Sequence, residues 1–175
     1  LDTAITELRE LVAFDTTSRN SNLPLIDHVE AKLLALGAVC ERIPSEDGSK
    51  ANLHARFGPV VDGGVVLSGH TDVVPVDGQP WTSDPWVLTD KGDGLLYGRG
   101  TCDMKGFSAC ILALAPTIAA ANLKKPVHIA LSFDEEVGCL GAPALIDRIM
   151  AGPVKPAMVV VGEPTDMKVV TAHKG

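Results

Sequence analysis

The sequence predicts an α/β fold built on a mostly parallel, twisted sheet with helices on both faces. Three observations predict it. Apolar runs of strand length, Val65-Val66-Leu67-Ser68, residues 127–133 and residues 157–161, recur along the chain without the polar alternation of a half-wet strand. Segments with helical apolar spacing separate several of them, which calls for right-handed crossovers. The composition, 46% hydrophobic with 4% aromatic over 175 residues, suits one Ala/Val/Leu-packed domain with a real core.

The elements follow in order. Thr3 caps a first helix whose apolar positions Ile5, Leu8, Leu11 and Val12 keep the helical period to about Phe14, and residues 15–22 form a loop. Asn22, with Pro24 in the first turn, opens a second helix carrying Leu25, Ile26, Val29 and Leu33 on one face and ending at Gly37. A short strand covers residues 38–43. Leu53, Ala55 and Phe57 alternate with Asn52, His54 and Arg56 as a strand with one wet face, so His54 is expected in solvent. Residues 58–64 turn into the Val65–Ser68 strand.

The long connection from Asp72 to Thr101 holds Trp81 and Trp86, which are expected to pack the loop, and a short hairpin within residues 86–97 shortens it. Residues 107–122 form a helix apolar on nearly every face, which Pro116 should kink or break. A strand over 127–133, a helix over 143–150 with Leu145, Ile146 and Ile149 inward, a buried strand over 157–161 and a last strand over 168–172 complete the series. No internal repeat, low-complexity tract or linker is visible.

Fifteen basic against twenty-two acidic residues give a net charge of −7, which repels phosphate backbones and argues against a nucleic-acid partner. The start lacks a basic segment followed by an apolar one, and the longest apolar stretch, near residues 111–121, contains Pro116; the expectation is no membrane partner and a soluble, cytoplasmic protein. Cys40, Cys102, Cys110 and Cys139 show no paired spacing and are expected to be buried free thiols, with Cys102 of interest beside Asp103.

The chemistry gathers at strand ends. His70 follows the Val65–Ser68 strand and Asp72 stands two residues on, the pairing that suits a ligating imidazole and its orienting carboxylate. Asp134-Glu135-Glu136 follows the 127–133 strand, Glu163 follows the 157–161 strand, and Asp103 lies in the loop before the buried helix. In open α/β sheets, sites form beyond the carboxyl ends of the strands, so these groups are expected to meet on one edge. Such a cluster repels itself unless cations neutralise it, and oxygen donors with one histidine suit zinc, cobalt or manganese. Asp103 is placed to bridge two ions, and adjacent glutamates divide into one ligand and one general base. Taken singly, each acid also suits a helix cap or a solvated end. Arg99 is expected to pair with a loop carboxylate in preference to anchoring a substrate, and Lys105 and His173 have no role that pattern alone assigns.

Four segments then carry a resemblance: Ser68-Gly69-His70-Thr71-Asp72-Val73-Val74-Pro75, Tyr97-Gly98-Arg99-Gly100-Thr101-Cys102-Asp103-Met104-Lys105-Gly106, Asp134-Glu135-Glu136-Val137-Gly138 and Gly162-Glu163-Pro164-Thr165. In order and spacing they resemble the N-terminal part of a di-zinc metallopeptidase family that includes acetylornithine deacetylase, succinyl-diaminopimelate desuccinylase, aminoacylase-1 and carboxypeptidase G. The resemblance implies a zinc-peptidase-like fold in which residues 1–175 are the first part of a catalytic domain. The lid and dimerisation domain, the returning catalytic segment with a final histidine ligand, and a homodimer would belong to the longer chain.

It further implies two zinc ions held by His70, Asp103, Glu136 and Glu163, with Asp103 bridging, Asp72 orienting His70, and a cis peptide between Asp103 and Met104. Glu135 would move a proton from water to the departing amine as an N-acyl amino acid is cut to a carboxylic acid and a free amino acid. Within the family, residues 134–141 and Ala172-His173-Lys174-Gly175 look most like acetylornithine deacetylase, which acts on N2-acetylornithine in arginine biosynthesis. Desuccinylase or dipeptidase specificity is the alternative, and a non-catalytic metal-binding domain is the alternative of another class. The chain alone is expected to hold an incomplete metal site and to have little or no activity. A glycosidase-like carboxylate pair leaves His70 and Asp103 unexplained.

Overall fold

A computed structural model describes residues 1–171. The sheet contains β1 (Val39–Pro44), β2 (Ala51–Phe57), β3 (Val65–His70), β6 (Val127–Ser132) and β7 (Met158–Val161) in the order β1-β2-β6-β3-β7. Strands β3 and β7 run parallel to their neighbours, while β2 pairs antiparallel with both β1 and β6. Four of the five strands therefore point one way, as the sequence predicts, with β2 alone reversed. The short hairpin β4 (Thr89–Asp90) and β5 (Leu96–Tyr97) stands apart in the long connection, also as expected.

Helices cover both faces. On one, α1 (Asp2–Val12), α2 (Leu23–Ala35) and α3 (Lys105–Ala120) bury Leu11, Ile26, Leu33 and Leu112 against Leu53, Ala55, Ile129 and Leu131. On the other, α4 (Ala142–Ala151) packs Leu145 and Ile149 on Val66 and Ala130. The alternation of β2 is thus divided between two helical layers, and its polar side is not a wet face. His54 is half-buried and shares a 2.9 Å contact from its Nε2 to Nδ1 of His128, instead of facing solvent.

Several local expectations shift for physical reasons. Thr3 lies inside α1, whose N-cap is Leu1, and makes no capping bond. The side chain of Asn22 precedes α2 but turns inward, donating to the Ala51 carbonyl at 2.8 Å and accepting from the Ala51 N–H at 3.0 Å. Pro116 does not break α3, which runs on to Ala120. Its exposed position places the missing N–H away from the sheet, and Leu114, 54% exposed, shows that α3 has a solvent face after all. Ile146 of α4 likewise points outward.

Strand β7 is the sheet's edge, and all four of its residues are exposed instead of buried on both faces. Residues 168–171 form no strand, while Ala172 and His173 lie outside the described residues. All four cysteines are free, but Cys102, Cys110 and Cys139 are exposed and Cys40 only partly covered. No helix among the described residues is long and apolar enough to cross a membrane.

One buried amide couples the sheet to the turn that leaves it. Asn52, fully buried in β2, donates to the Gly141 carbonyl at 2.9 Å and accepts the Phe133 N–H at 3.1 Å. A Cβ on Gly141 would lie 2.5 Å from the Phe133 carbonyl oxygen and 2.7 Å from Asn52 Oδ1, so this approach requires glycine. Residues 134–140 are held between these two fixed points. Replacing Asn52 by alanine should strand two buried main-chain groups and cost about 2–4 kcal/mol in urea unfolding; a loss below about 0.5 kcal/mol would show that the clamp contributes little.

Candidate metal centre

His70, Asp103, Glu135, Glu136 and Glu163 meet at the carboxyl ends of β3, β6 and β7, where the sequence places them. His70 is the last residue of β3 and is paired with Ser132, the last of β6. That register delivers the turn after β6 beside the imidazole. Gly162 extends β7 by donating its N–H to the Ser68 carbonyl at 3.1 Å, which sets Glu163 on the third side. A Cβ at Gly162 would fall 2.0 Å from the Phe107 ring, so the ring of α3 can lie against this backbone only because the residue is glycine.

The imidazole is 2% exposed, and its two nitrogens face different environments. Nδ1 lies 2.8 Å from the main-chain carbonyl of Asp72. Because a carbonyl only accepts, Nδ1 carries a proton, and Nε2 faces the acids. Nε2 stands 3.0 Å from Asp103 Oδ1, 3.8 Å from Glu163 Oε1 and 3.9 Å from Glu135 Oε2. Donor atoms of His70, Asp103 and Glu163 lie within 4.8 Å of one another, and so do those of His70, Glu135 and Glu136. The peptide from Asp103 to Met104 is cis.

Asp72 orients His70 chiefly through its carbonyl, since the nearer carboxylate oxygen is 3.6 Å from Nδ1. The carboxylate itself has other work. It accepts the Ser18 hydroxyl at 2.7 Å, the Glu135 N–H at 3.0 Å and the Glu136 N–H at 3.2 Å. The backbone carrying both glutamates is therefore fastened to the residue that fixes the histidine. Asp134 stays outside the cluster and pairs with Lys50 at 2.5 Å.

The electrostatics register crowding. Burial pushes the carboxyl pKa of Glu136 up and Asp103 adds to it; burial also raises Glu163, with His70 opposing and Asp103 and Glu135 reinforcing. For His70, burial acts to lower the pKa, but Asp72, Asp103 and Glu163 outweigh it and carry the imidazole up to about 9. Burial would also raise Asp72, yet His70, Ser18 and the Glu135 N–H hold it below the ordinary carboxylate range. A single imidazolium stands among at least four carboxylates, and a divalent cation fits this donor set: one neutral imidazole nitrogen with oxygen ligands on several sides.

A cavity of about 180 Å³ opens beside the cluster, lined by Asp103, Glu136, Arg99, Thr101 and Val74 among others. Arg99 pairs with no carboxylate among the described residues. Its guanidinium donates to Gln79 Oε1 and to the Pro75 carbonyl, and sits 5.2 Å over the Trp81 ring, which gives that tryptophan its packing role. Lys105, without a role from pattern, proves to be 1% exposed; it donates to the Phe14 carbonyl at 2.7 Å, and burial pulls its pKa down to about 7. Sequence reasoning missed Ser18, Lys50 and Lys105. The first two lie 54 and 84 positions from their carboxylates, and no local pattern marks such pairs.

Comparison with known proteins follows the same lines. Residues 66–173 match Peptidase family M20/M25/M40. The chain is 46% identical over 173 residues to an acetylornithine deacetylase of Myxococcus xanthus, covering 96% of this chain and 43% of that protein. It is 42% identical over 156 residues to an acetylornithine deacetylase of Pasteurella multocida (strain Pm70), covering 89% and 40%. The chain thus spans less than half the length of these relatives. Human carnosine dipeptidase 1 superposes with a TM-score of 0.72 at 27% identity over 91% of this chain and 38% of that one. A metallo-carboxypeptidase, Sso-CP2 of Sulfolobus solfataricus, has the same fold with a TM-score of 0.78 at 20% identity, covering 93% and 37%.

Two outcomes follow from this geometry. Ser18→Ala should lower zinc affinity about 10–100-fold, as loss of an outer contact to a ligand-orienting group does; unchanged zinc binding in a competition titration would separate Asp72 from the site. The raised His70 pKa fixes a pH trend as well. Its bound proton stabilises the metal-free fold fully below the unfolded value of 6.5, and this contribution is lost as pH rises through about 9. A cation at Nε2 must displace that proton, so zinc should bind more weakly at pH 6 than at pH 8.5, with proton release measurable by calorimetry in two buffers.

Proposed function

The chain belongs to Peptidase family M20/M25/M40, and from that premise we propose that the protein it represents is a metal-dependent amidohydrolase removing the acyl group from an N-acyl amino acid. The observation that carries the reading is the junction of one buried imidazole with four carboxylates at the ends of three neighbouring strands. We place His70, Asp103, Glu136 and Glu163 as ligands, with Asp103 shared between two divalent ions, zinc first and cobalt or manganese as substitutes. When bound, such ions lower the pKa of water and polarise an acyl oxygen.

The protein's own residues do the rest. Asp72 holds His70 by its carbonyl and the Glu135–Glu136 backbone by its carboxylate. Glu135, partly exposed beside the cluster, takes the proton of the attacking water and returns it to the leaving nitrogen, so that amide cleavage ends in a carboxylic acid and a free amine. The cavity between Asp103, Glu136 and Arg99 offers room for the acyl group or the amino-acid portion. N2-Acetylornithine is the substrate we favour, a choice supported by relatives named acetylornithine deacetylase at 46% and 42% identity. Removing its acetyl group is a step of arginine synthesis.

The test compares the full-length protein with its Glu135→Gln variant on N2-acetylornithine and N-succinyl-diaminopimelate after metal loading. The expected result is turnover of the acetyl substrate, a fall in kcat of about 10²–10⁴-fold in the variant, and unchanged metal content. Preference for the succinyl substrate would move the assignment within the family. Full activity of the variant would remove Glu135 from the proton path.

A further inference from the structure

On the α4 face of the sheet lies a second cavity, separate from the acidic cluster, with a volume of about 190 Å³ and a lining in which charged and imidazole side chains meet apolar ones. It is lined by Glu41 of β1, His54 and Arg56 of β2, His128 of β6 and Arg148 and Ile149 of α4. Pairing explains the convergence. Glu41 lies opposite His54, and Arg56 opposite His128, so adjacent strands present all four side chains on the same side of the sheet.

The imidazoles form a chain. Their rings are parallel within 3°, with centroids 5.2 Å apart and His54 Nε2 2.9 Å from His128 Nδ1. His128 is 1% exposed, and its Nε2, at the far end of that chain, has no hydrogen-bond partner among the described residues. A buried nitrogen without a partner costs about 1–3 kcal/mol, and on a residue that lines a cavity it points to a ligand or water not yet counted.

The surrounding charge selects among ligands. Arg148 donates its Nε to Glu41 at 2.6 Å, and its terminal nitrogens have no partner among the described residues. Arg56 donates one terminal nitrogen to the Gly58 carbonyl, and its side chain makes no other hydrogen bond among the described residues. Two guanidiniums therefore face one carboxylate, already engaged, and two imidazoles able to gain protons. Burial lowers the pKa of both histidines, His54 to about 4 with His128 adding repulsion, so in the empty cavity the pair is neutral. Nothing in this set suits a cation, because both arginines would repel it.

We infer that this cavity is a binding site for a small oxyanion, inorganic phosphate or a short carboxylate, gripped by the Arg56 and Arg148 guanidiniums and by the free nitrogen of His128. The planar forks of the two arginines match oxyanion geometry. The cavity has room for about six waters at their liquid volume, hence for such an ion with part of its hydration. The site is independent of the acidic cluster and of the reaction assigned to it.

The experiment titrates the metal-loaded full-length protein, labelled with 15N in its histidines, with phosphate, acetate and chloride at constant ionic strength and pH 6. Phosphate or acetate should saturably shift the His54 and His128 imidazole signals while His28 of α2, beside Glu10 of α1, serves as an internal control. The ion that saturates at lower concentration tells the tetrahedral from the carboxylate source. Arg148→Gln, whose side chain is half exposed and safe for folding, should weaken the midpoint at least tenfold, and Arg56→Gln should do the same. Glu135→Gln should leave it unchanged. Shifts that chloride reproduces, that fail to saturate, or that survive both arginine substitutions would overturn the site and leave the cavity to water.

Discussion

The Asp72 carboxylate is the constraint on which the site depends. An ion that is 2% exposed is tolerable only when its lone pairs are used, and here a hydroxyl and two main-chain N–H groups use them. Those donors come from distant parts of the chain: Ser18 from the loop after α1, and Glu135 and Glu136 from the turn after β6. Meeting the needs of one buried charge therefore aligns three segments at once. The carbonyl of the same residue fixes the His70 tautomer. Function in this corner of the fold rests on satisfying a structural debt.

The sheet makes that arrangement available. Because β3, β6 and β7 are parallel and adjacent, their carboxyl ends open on one edge and the residues that follow them are neighbours in space though up to about ninety positions apart in sequence. Beneath this edge lies a polar floor. Thr16 donates to the Thr71 carbonyl, Thr71 to the Ser132 carbonyl, and Asn22 to Thr71, each within 2.6–2.9 Å. These bonds tie the first loop to β3 and β6, so the tips bearing His70 and the glutamates are not free to drift apart.

What was legible in the sequence, and what was not, follows from the range of each interaction. His70, Asp103, Glu135, Glu136 and Glu163 could be found because each stands at a strand end or in a glycine-rich loop, and strand ends show in local apolar runs. The placement of β6 between β2 and β3 could not, because register is a pairing property that no single strand carries. His54 looked wet for the same reason: its alternation is real, but the face it points to is roofed by α4. The exposure of β7 is the converse case, an apolar strand that periodicity reads as central and topology puts at the edge. Ser18, Lys50 and Lys105 are ordinary residues until their distant partners are known.

The electrostatic contrast across the sheet is the deeper regularity. At the carboxyl edge, acids outweigh burial and carry one imidazole up to about 9; on the α4 face, burial lowers two imidazoles, one to about 4, and the neighbouring imidazole and arginines add to it. Burial acts on both groups in the same direction, toward the neutral ring, and prevails where no cluster of acids outweighs it. The neighbours decide. Histidine at the first place is a base waiting for a cation to replace its proton, and at the second a neutral donor waiting for an anion to make a proton worth holding. One residue type thus serves two chemistries in a single small domain because the strand register determines which charges it meets.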